Sequence, residues 1–471
     1  MFFKTERKVQ PDESIGSYLP LIMKKKGTFI MPRENPLKNI VRLQKEGKAI
    51  GIYSACTAND LVLRACMQRA KETNSILLIE ATANQVDQYG GYTGMKPKDF
   101  IRFVEKLAAE EGISMNQIIL GGDHLGPLTF TKYGEDKAMA EASELIRQFV
   151  AAGFTKIHID TSMKVASDDP DTRLSDDVIS RRGAELAQVA ENAYQELLKE
   201  NPEAIHPVYI VGSEVPIPGG SQEAKDMGLQ VTKPEDFRNT VSIFEKSFRE
   251  HGLEDAWNQV IGFVVQPGVE EKDAGCTEYD RSKAVDLMAS IKDYDSFVFE
   301  GHSTDYQTKY KLRELVEDGV GILKVGPGLT FAMREGLFSL AYAEKEMLKD
   351  KPQQQSHFME VLDAAMVRDP KYYQKHYHGT DSEIAYKRKF SFSDRCRYYL
   401  PQEDVQAAMQ KMFDNFKGGV PLGLLSQFMP DAYTKVREGK LSNDPISIVK
   451  DRVIHTVDEY LYASQQQEIR F

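Results

Sequence analysis

Short apolar segments alternate with longer amphipathic segments eight times between about residues 50 and 348. The apolar segments are continuous rather than alternating, which is typical of parallel strands covered on both faces. Eight strand–helix units in roughly 300 residues predict a (β/α)8 TIM barrel, an α/β fold. The alternative is a doubly wound open sheet, which predicts a glycine-rich fingerprint after the first strand. Residues 53–57, Tyr-Ser-Ala-Cys-Thr, lack that fingerprint.

The predicted elements divide the chain into three parts. Strands are expected at 50–53, 76–79, 118–120, 156–159, 208–211, 261–265, 297–299 and 321–325. Helices are expected at 58–71, 97–111, 136–152, 175–200, 234–251, 280–291, 305–317 and 329–348, and later at 403–415 and 446–464. We therefore expect an N-terminal extension over residues 1–47, the barrel over 48–350, and a helical C-terminal extension over 351–471 that packs on the barrel.

Composition excludes several functional classes. The net charge of -11 over 471 residues argues against nucleic acid and against anionic membrane surfaces as partners. The first twenty residues lack the apolar core of a signal peptide, and no apolar run is long enough to span a bilayer. The four cysteines form neither a disulfide framework nor a C-x-x-C pair. We expect a cytoplasmic protein that assembles as a homo-oligomer.

Polar residues end most of the predicted strands. Active sites of TIM barrels lie at the C-terminal ends of the strands, so these side chains are expected to meet at one rim. They are Glu80, Asp123, His124, Asp160, Glu214, Gln266, Glu300 and His302. In an alternative interpretation, these groups only cap helices or form ion pairs with Lys324 and Arg334.

Histidine together with carboxylate is a ligand set for Zn²⁺ or for a harder divalent ion. We expect His124 and His302 to bind such an ion, with Glu214, Asp160 or Glu80 completing the set. The motif at 121–127, Gly-Gly-Asp-His-Leu-Gly-Pro, places an acid beside an imidazole at a strand end. Such a pair can supply a proton acceptor and a metal ligand to one cleft, although a capped Gly-Pro turn would look the same.

Two further features have more than one interpretation. His158 lies two residues before Asp160 and points into the barrel one layer lower, either as a third ligand or, as we favour, as a hydrogen-bonded core histidine. Gly326-Pro327-Gly328 follows the last strand, where backbone N–H groups at a helix start can hold a phosphate. A tight turn is the equal alternative. The residues expected to bind substrate are Glu80, Gln266, Ser303, Gly326 and Gly328.

Seven longer motifs resemble one protein family. They occupy residues 79–86, 90–95, 121–127, 212–220, 265–270, 301–307 and 391–395. Together they are similar to the GatZ/KbaZ-type subunit of class II D-tagatose-1,6-bisphosphate aldolase, from about residue 51 onward. The resemblance implies a (β/α)8 barrel. It also implies a subunit that is usually described as non-catalytic and that supports a separate catalytic aldolase chain.

The resemblance also suggests residue roles. In the related catalytic class II aldolases, a strand-ending Asp-His pair provides a proton-transfer Asp and a zinc-binding His, and Asp123-His124 resembles that pair. Those chains use further histidines, and here only His302 is placed where one could serve. Some members of the wider family resemble metal-dependent ketohexose 4-epimerases that interconvert fructose and tagatose.

Two functions follow as hypotheses. In the first, Zn²⁺, Mn²⁺ or Ni²⁺ polarises a ketohexose or ketohexose phosphate and stabilises the enediolate formed when the C3–C4 bond breaks. Asp123 takes the C4 hydroxyl proton, and Glu214 or Asp160 acts on the opposite face. Release of the aldehyde gives an aldolase, whereas its rotation and recapture gives a 4-epimerase. In the second, the chain is a non-catalytic accessory subunit of a class II aldolase catalytic subunit. A kinase is disfavoured because no P-loop is present.

Overall fold

A computed structural model describes residues 34–213 and 229–469. Eight parallel strands form a closed barrel, which confirms the predicted fold. In chain order the barrel strands are β1 (Ile52–Ala55), β2 (Leu77–Thr82), β3 (Ile118–Leu125), β4 (Lys156–Ile159), β5 (Val208–Val211), β6 (Val260–Val265), β9 (Val298–Gly301) and β10 (Val320–Val325). A separate antiparallel hairpin, which was not predicted, consists of β7 (Glu270–Lys272) and β8 (Gly275–Thr277). Around the barrel each strand pairs with its neighbours in the order β1-β10-β9-β6-β5-β4-β3-β2.

Helices follow the barrel strands and continue beyond them. Up to the last strand–helix unit they are α1 (Lys38–Lys45), α2 (Asp60–Thr73), α3 (Pro97–Glu111), α4 (Glu135–Ala152), α5 (Asp176–Glu200), α6 (Pro234–Glu250), α7 (Glu254–Trp257), α8 (Arg281–Ser290), α9 (Lys309–Asp318) and α10 (Pro327–Met347). The later helices are α11 (Phe358–Arg368), α12 (Asp381–Phe390), α13 (Glu403–Asn415), α14 (Leu422–Phe428), α15 (Pro430–Arg437) and α16 (Pro445–Ser464). Within the described part of the chain, no helix is long and apolar enough to cross a membrane.

Helix α9 begins later than its apolar pattern predicts. The pattern starts at residue 305, but Thr308 is the N-cap, and its hydroxyl accepts a hydrogen bond from the Lys311 N–H. Residues 305–307 instead form a turn in which Tyr306 has a φ of 63°. Asp305 is therefore free to point away from the helix.

The N-terminal end of the barrel is filled by apolar side chains. Inward-facing residues of the strands, among them Ile52, Leu78 and Ile322, form one buried cluster with Leu37 and Ile40 from the region of α1. Helix α1 thus closes this end, and polar chemistry is left to the opposite end of the barrel.

The C-terminal extension contacts both ends of the barrel. Helix α16 packs against α2, α9 and α10, and the Ser464 carbonyl accepts a hydrogen bond from the Gly51 N–H. At the other end, the Tyr306 hydroxyl donates to the Phe392 carbonyl at 2.6 Å. The Phe392 N–H donates to the carbonyl of Asp273, between the two hairpin strands. The region around residues 391–398 is therefore held over the C-terminal ends of the strands.

Candidate active site

A β-bulge in β3 brings two consecutive side chains to the barrel interior. The pairing of β3 with β4 changes register between Gly122 and Leu125, and His124 has a φ of 50°. In a regular strand, Asp123 and His124 would point to opposite faces. A bulge re-aims one of them, and positive φ in a residue other than glycine is a form of strain that concentrates at functional sites.

Glycines beside this bulge leave room for buried acids. A Cβ on Gly121 would lie 2.8 Å from Cγ of Glu80, and a Cβ on Gly126 would lie 1.8 Å from the Asp160 carbonyl oxygen. The second contact involves backbone, which cannot move aside as a side chain can. The glycines of the motif at 121–127 are therefore required by packing around the cluster.

Three imidazoles lie next to one another at this end of the barrel. The ring centroids of His124, His158 and His302 are 5.0–5.1 Å apart in all three pairings. Each ring has one nitrogen close to a different buried carboxylate. These contacts are His124 Nδ1 to Asp160 Oδ2 at 2.8 Å, His158 Nδ1 to Asp123 Oδ1 at 2.8 Å, and His302 Nε2 to Glu300 Oε1 at 2.9 Å.

This arrangement fits a metal centre. A histidine ligand usually donates its second ring N–H to a carboxylate, which leaves the other nitrogen unprotonated for the ion. Three imidazoles on one tetrahedral ion, at the usual Zn–N distance of about 2.0–2.1 Å, have centroids about 5 Å apart. Among the described residues, the buried Nε2 of His158 has no hydrogen-bond partner. Ligand atoms of Asp123, His158, Glu300 and His302 lie within 4.8 Å of one another, a group that contains two of the three imidazoles and not His124.

Buried carboxylates outnumber the buried ammonium groups around the imidazoles. Lys156 Nζ lies 2.7 Å from Glu300 Oε2, and Lys324 Nζ lies 2.8 Å from Asp123 Oδ1. Both ammonium groups also contact Glu80. The buried carboxylates are Glu80, Asp123, Asp160 and Glu300. Against two lysines they leave two negative charges. A protonated His124 offsets one of them, because Asp123 and Asp160 outweigh burial and raise the His124 pKa.

The pKa shifts follow from this electrostatic balance. Burial opposes ionisation of Asp123, but His124 and Lys324 outweigh burial and hold its pKa well below the usual range. Burial likewise opposes ionisation of Asp160, and the contacts with His124 lower its pKa to about 2. Burial lowers the pKa of His302 to about 4, so its ring is neutral near pH 7, as a metal ligand must be.

Eight of the ten predicted site residues fall into three groups. Asp123, His124, His302, Ser303 and Gly326 line one common cavity. Glu80 and Asp160 are fully buried beside that cavity rather than in its wall. Glu214 lies outside the described residues.

Asp160 and Glu80 therefore differ from their predicted roles. Asp160, expected to act on the substrate, has its carboxylate bonded to His124 and to the backbone and hydroxyl of Ser162. Glu80, expected to bind substrate, is bonded to Ser54 and paired with both buried lysines. Both acids position other groups, since their oxygens are already occupied by protein donors.

Gln266 and Gly328 also differ from the substrate-binding role predicted for them. The Gln266 Oε1 accepts hydrogen bonds from the N–H groups of Gly268 and Val269, two and three residues away, so it shapes its own turn. The Gly328 N–H donates to Asp305 Oδ1 at 2.6 Å. Neither polar group is directed at a ligand.

Residues of the C-terminal extension complete the cavity wall, and the sequence had not assigned them. Arg397, Tyr398 and Pro401 line the cavity that also contains Asp123 and His302. The only signal for them was the motif at 391–395, which resemblance had marked as family-specific without a role. The extension therefore covers the candidate site.

Tyr398 has an unusual environment in that wall. Its hydroxyl accepts hydrogen bonds from Arg397 Nη2 at 3.0 Å and from Arg395 Nη1 at 3.5 Å. Its ring stacks on Tyr372 at 4.7 Å and meets the edge of Tyr92 at 4.8 Å. Burial opposes ionisation of Tyr398, but the two guanidiniums outweigh burial and lower its pKa. The hydroxyl is thus fixed in place by two guanidinium groups.

Comparisons with known proteins agree with the motifs. A family model described as D-tagatose-1,6-bisphosphate aldolase subunit GatZ/KbaZ-like matches residues 37–465. A probable tagatose 6 phosphate kinase from Sinorhizobium meliloti 1021 has a solved structure that is 41% identical, with a TM-score of 0.79. That match covers 88% of this chain and 100% of the other.

Two aldolase structures are more distant. The YdjI aldolase from Escherichia coli K12 is 10% identical with a TM-score of 0.39, and the match covers 81% of this chain and 95% of the other. A fructose-bisphosphate aldolase from Campylobacter jejuni is 14% identical with a TM-score of 0.39, over 80% of this chain and 91% of the other. At these TM-scores neither structure supports a statement about the function of this chain.

Proposed function

The chain belongs to the D-tagatose-1,6-bisphosphate aldolase subunit GatZ/KbaZ-like family, and from that premise we propose that it is itself a divalent-metal-dependent enzyme acting at the C3–C4 bond of a ketohexose. The observation that supports this most is the group of three adjacent imidazoles, each held by its own carboxylate. Three imidazoles that face one another, each with a carboxylate at one ring nitrogen, match the ligand arrangement of a divalent ion.

In this proposal His124, His158 and His302 hold the ion. His158 replaces Glu214 as the third ligand, because its free Nε2 is buried beside the other two rings. When bound, the ion would polarise the ketone as a Lewis acid. It would also stabilise the negative charge that develops as the C3–C4 bond breaks. The carboxylates of Asp160 and Glu300 keep the rings in the orientation and tautomer that binding requires.

Asp123 is the proposed base for the C4 hydroxyl. Its Oδ1 contacts His158 and Lys324, both at 2.8 Å, which leaves Oδ2 for a substrate proton. Burial opposes ionisation of Asp123, and the Lys324 ammonium at 2.8 Å favours its ionised form. Asp123 is thus deprotonated and lines the cavity, as the acceptor of a substrate proton must.

Tyr398 is the proposed second acid–base group. Epimerisation at C4 requires proton transfer on both faces of the aldehyde, which rotates between cleavage and recapture. The C-terminal extension forms one wall of the cavity, and β3 forms another. The two guanidiniums that contact the Tyr398 hydroxyl stabilise its ionised form. Retention of the aldehyde under this wall favours recapture and epimerisation, whereas its escape gives aldol cleavage.

The test is turnover by the purified chain without any partner. The metal-free protein is reloaded with Zn²⁺, Mn²⁺ or Ni²⁺ and assayed for interconversion of fructose and tagatose and for cleavage of tagatose 1,6-bisphosphate. We expect His158→Ala and His302→Ala to abolish metal binding and activity. His206→Ala is the matched control, because His206 pairs with Glu191 outside the cluster. Full activity of His158→Ala would reject the site.

The family is described as an aldolase subunit, so a non-catalytic accessory subunit is the alternative function to be tested. An accessory subunit would bind no metal, would be inactive alone, and would raise the activity of a catalytic class II aldolase chain added to it. Stoichiometric metal together with turnover by the chain alone would exclude that function. The same preparation therefore distinguishes the two.

A further inference from the structure

The backbone amides expected to bind a phosphate are already occupied by a side chain of the protein. The N–H groups of Gly326 and Gly328, at the start of α10, both donate to Asp305 Oδ1, at 3.0 and 2.6 Å. Amides at a helix N-terminus are where this fold commonly binds phosphate. Here an internal carboxylate takes that position.

The loop that carries Asp305 is fixed in this conformation. Ser303 and Tyr306 have φ values of 53° and 63°. The Thr304 hydroxyl donates to the Lys324 carbonyl at 2.6 Å. A Cβ on Gly328 would lie 3.0 Å from Asp305 Oδ1, so glycine at this position makes room for the carboxylate. The contact is therefore built into two loops and does not depend on one rotamer.

A second buried acid borders the same part of the cavity. Glu271 and Asp305 are each 2% exposed, and both line the cavity with His302 and Ser303. Burial and the neighbouring Glu271 raise the pKa of Asp305 to about 7. Within the described residues, Oε2 of Glu271 has no hydrogen-bond partner. A buried acceptor without a partner is costly and fits a ligand that brings a hydroxyl donor.

We propose that Asp305 occupies the position of a sugar phosphate and makes the site specific for an unphosphorylated ketohexose, whose hydroxyl groups meet Glu271. This inference rests on the proposed function, since it names the substrate class of the same cavity. A phosphate dianion would have to displace a bonded carboxylate and would face a second one. A neutral polyol requires neither.

Two cations among the described residues line the cavity and oppose this conclusion, Lys324 and Arg397. Lys324 is paired with Glu80 and Asp123, and the donors of Arg397 are largely engaged within the protein. Its Nη1 donates to the carbonyls of Ser393 and Asp394 at 2.6 and 2.9 Å, and its Nη2 donates to Tyr398. Three of the five guanidinium N–H groups are thus already bonded. Arg397 holds the wall together and supports Tyr398 without forming an open anion site.

The first experiment compares substrates on the wild-type chain. With the metal-loaded protein, kcat/KM is measured for D-tagatose and D-fructose and for their 6-phosphates. We expect the free sugars to be preferred by at least about 100-fold, because sites whose polar groups match one substrate reject the mismatched one by up to about 10⁴–10⁵-fold. Equal or better turnover of a 6-phosphate would overturn the inference and leave the proposed function intact.

The second experiment uses two variants of Asp305 and does not depend on turnover. Asp305→Ala frees both amides, whereas Asp305→Asn removes the charge and keeps an oxygen on them. Binding of inorganic phosphate and of D-tagatose 6-phosphate is measured by calorimetry, after thermal melting shows that each variant is folded. We expect at least tenfold tighter phosphate binding by Asp305→Ala than by wild type, and no gain for Asp305→Asn.

The two experiments separate the failures. Absence of turnover on every sugar would reject the proposed function, and the calorimetric comparison would still decide whether Asp305 blocks phosphate. An equal gain in both variants would show that charge, and not occupation of the amides, excludes phosphate, and that result would refute the inference. Unchanged phosphate binding by a folded Asp305→Ala would do so as well.

Discussion

Replacement of Asp160 by Asn isolates one contact of the candidate metal centre. Asp160 is fully buried, and its Oδ2 lies 2.8 Å from Nδ1 of His124. The Asn side chain has almost the same shape and can keep the hydrogen bonds to Ser162. The variant removes one buried negative charge and no longer fixes which nitrogen of His124 carries the proton. We expect a folded protein with weakened metal binding.

The size of the loss can be worked from the contact. Removal of a carboxylate that orients a histidine ligand costs about 10–100-fold in metal affinity. Because Asp160 is completely buried, solvent does not screen its charge, and the upper end of that range applies. We therefore expect about a 100-fold increase in the Kd for Zn²⁺, equivalent to about 2.7 kcal/mol.

The assay is competition between the metal-free protein and a chromophoric chelator of known affinity. Asp363→Asn is the matched control, since Asp363 pairs with Arg388 on α12, outside the cluster. The control should keep the wild-type Kd and metal stoichiometry. A folded Asp160→Asn with a Kd within threefold of wild type would show that His124 is not a ligand held by this carboxylate.

Three further outcomes are expected. Gly126→Ala should lower the free energy of unfolding by about 3 kcal/mol, because its Cβ would meet a backbone oxygen at 1.8 Å. The control Gly423→Ala has open space around its Cβ and should not be destabilised. Equal melting temperatures of the two variants would contradict this prediction. The raised pKa of Asp305 means that the folded state binds its proton more tightly than the unfolded state, so stability is lost as pH rises from about 4 to about 7. The melting temperature of Asp305→Asn minus that of wild type should therefore be larger at pH 8 than at pH 5. The same difference at both pH values would refute the raised pKa of Asp305. Tyr398→Phe should lower kcat by about 10²–10⁴-fold with metal content unchanged, and an unaltered kcat would remove Tyr398 from the mechanism.

The barrel was predictable because its signals are local. Each buried parallel strand is a continuous apolar run, and each helix carries its own spacing of apolar residues. Helix α13 occupies the predicted range Glu403–Asn415 for the same reason. The hairpin of β7 and β8 was missed because its three-residue strands, Glu-Glu-Lys and Gly-Cys-Thr, are too short and too polar to give such a pattern.

The joint placement of Asp123 and His124 could be suspected from the sequence, but the sequence alone could not establish it. Strand alternation by itself sends neighbouring side chains to opposite faces. The bulge that overrides alternation depends on the register between β3 and β4, which is a property of two strands that are distant in sequence. Two glycines before the pair were the one local indication of an irregular strand.

His158 and Asp305 show where sequence reasoning stops. His158 was interpreted as a core histidine because one buried imidazole has too many explanations, and its neighbours His124 and His302 come from other strands. Asp305 was assigned to a helix on the basis of spacing. Its true partners, Gly326 and Gly328, lie more than twenty residues later, so only the fold brings them together.

The bonds between Gln466 and the first two strands affect how the chain can fold during translation. Oε1 of Gln466 accepts a hydrogen bond from the N–H of Tyr53, which lies 413 positions earlier in the chain. Nε2 of Gln466 donates to the Ile76 carbonyl. At about 5–20 residues per second, a ribosome needs roughly 20–80 s to synthesise the intervening chain. During that time β1 and β2 lack these partners. We therefore expect a nascent chain released before residue 466 to require chaperones, and a fragment that ends with the last barrel helix to aggregate.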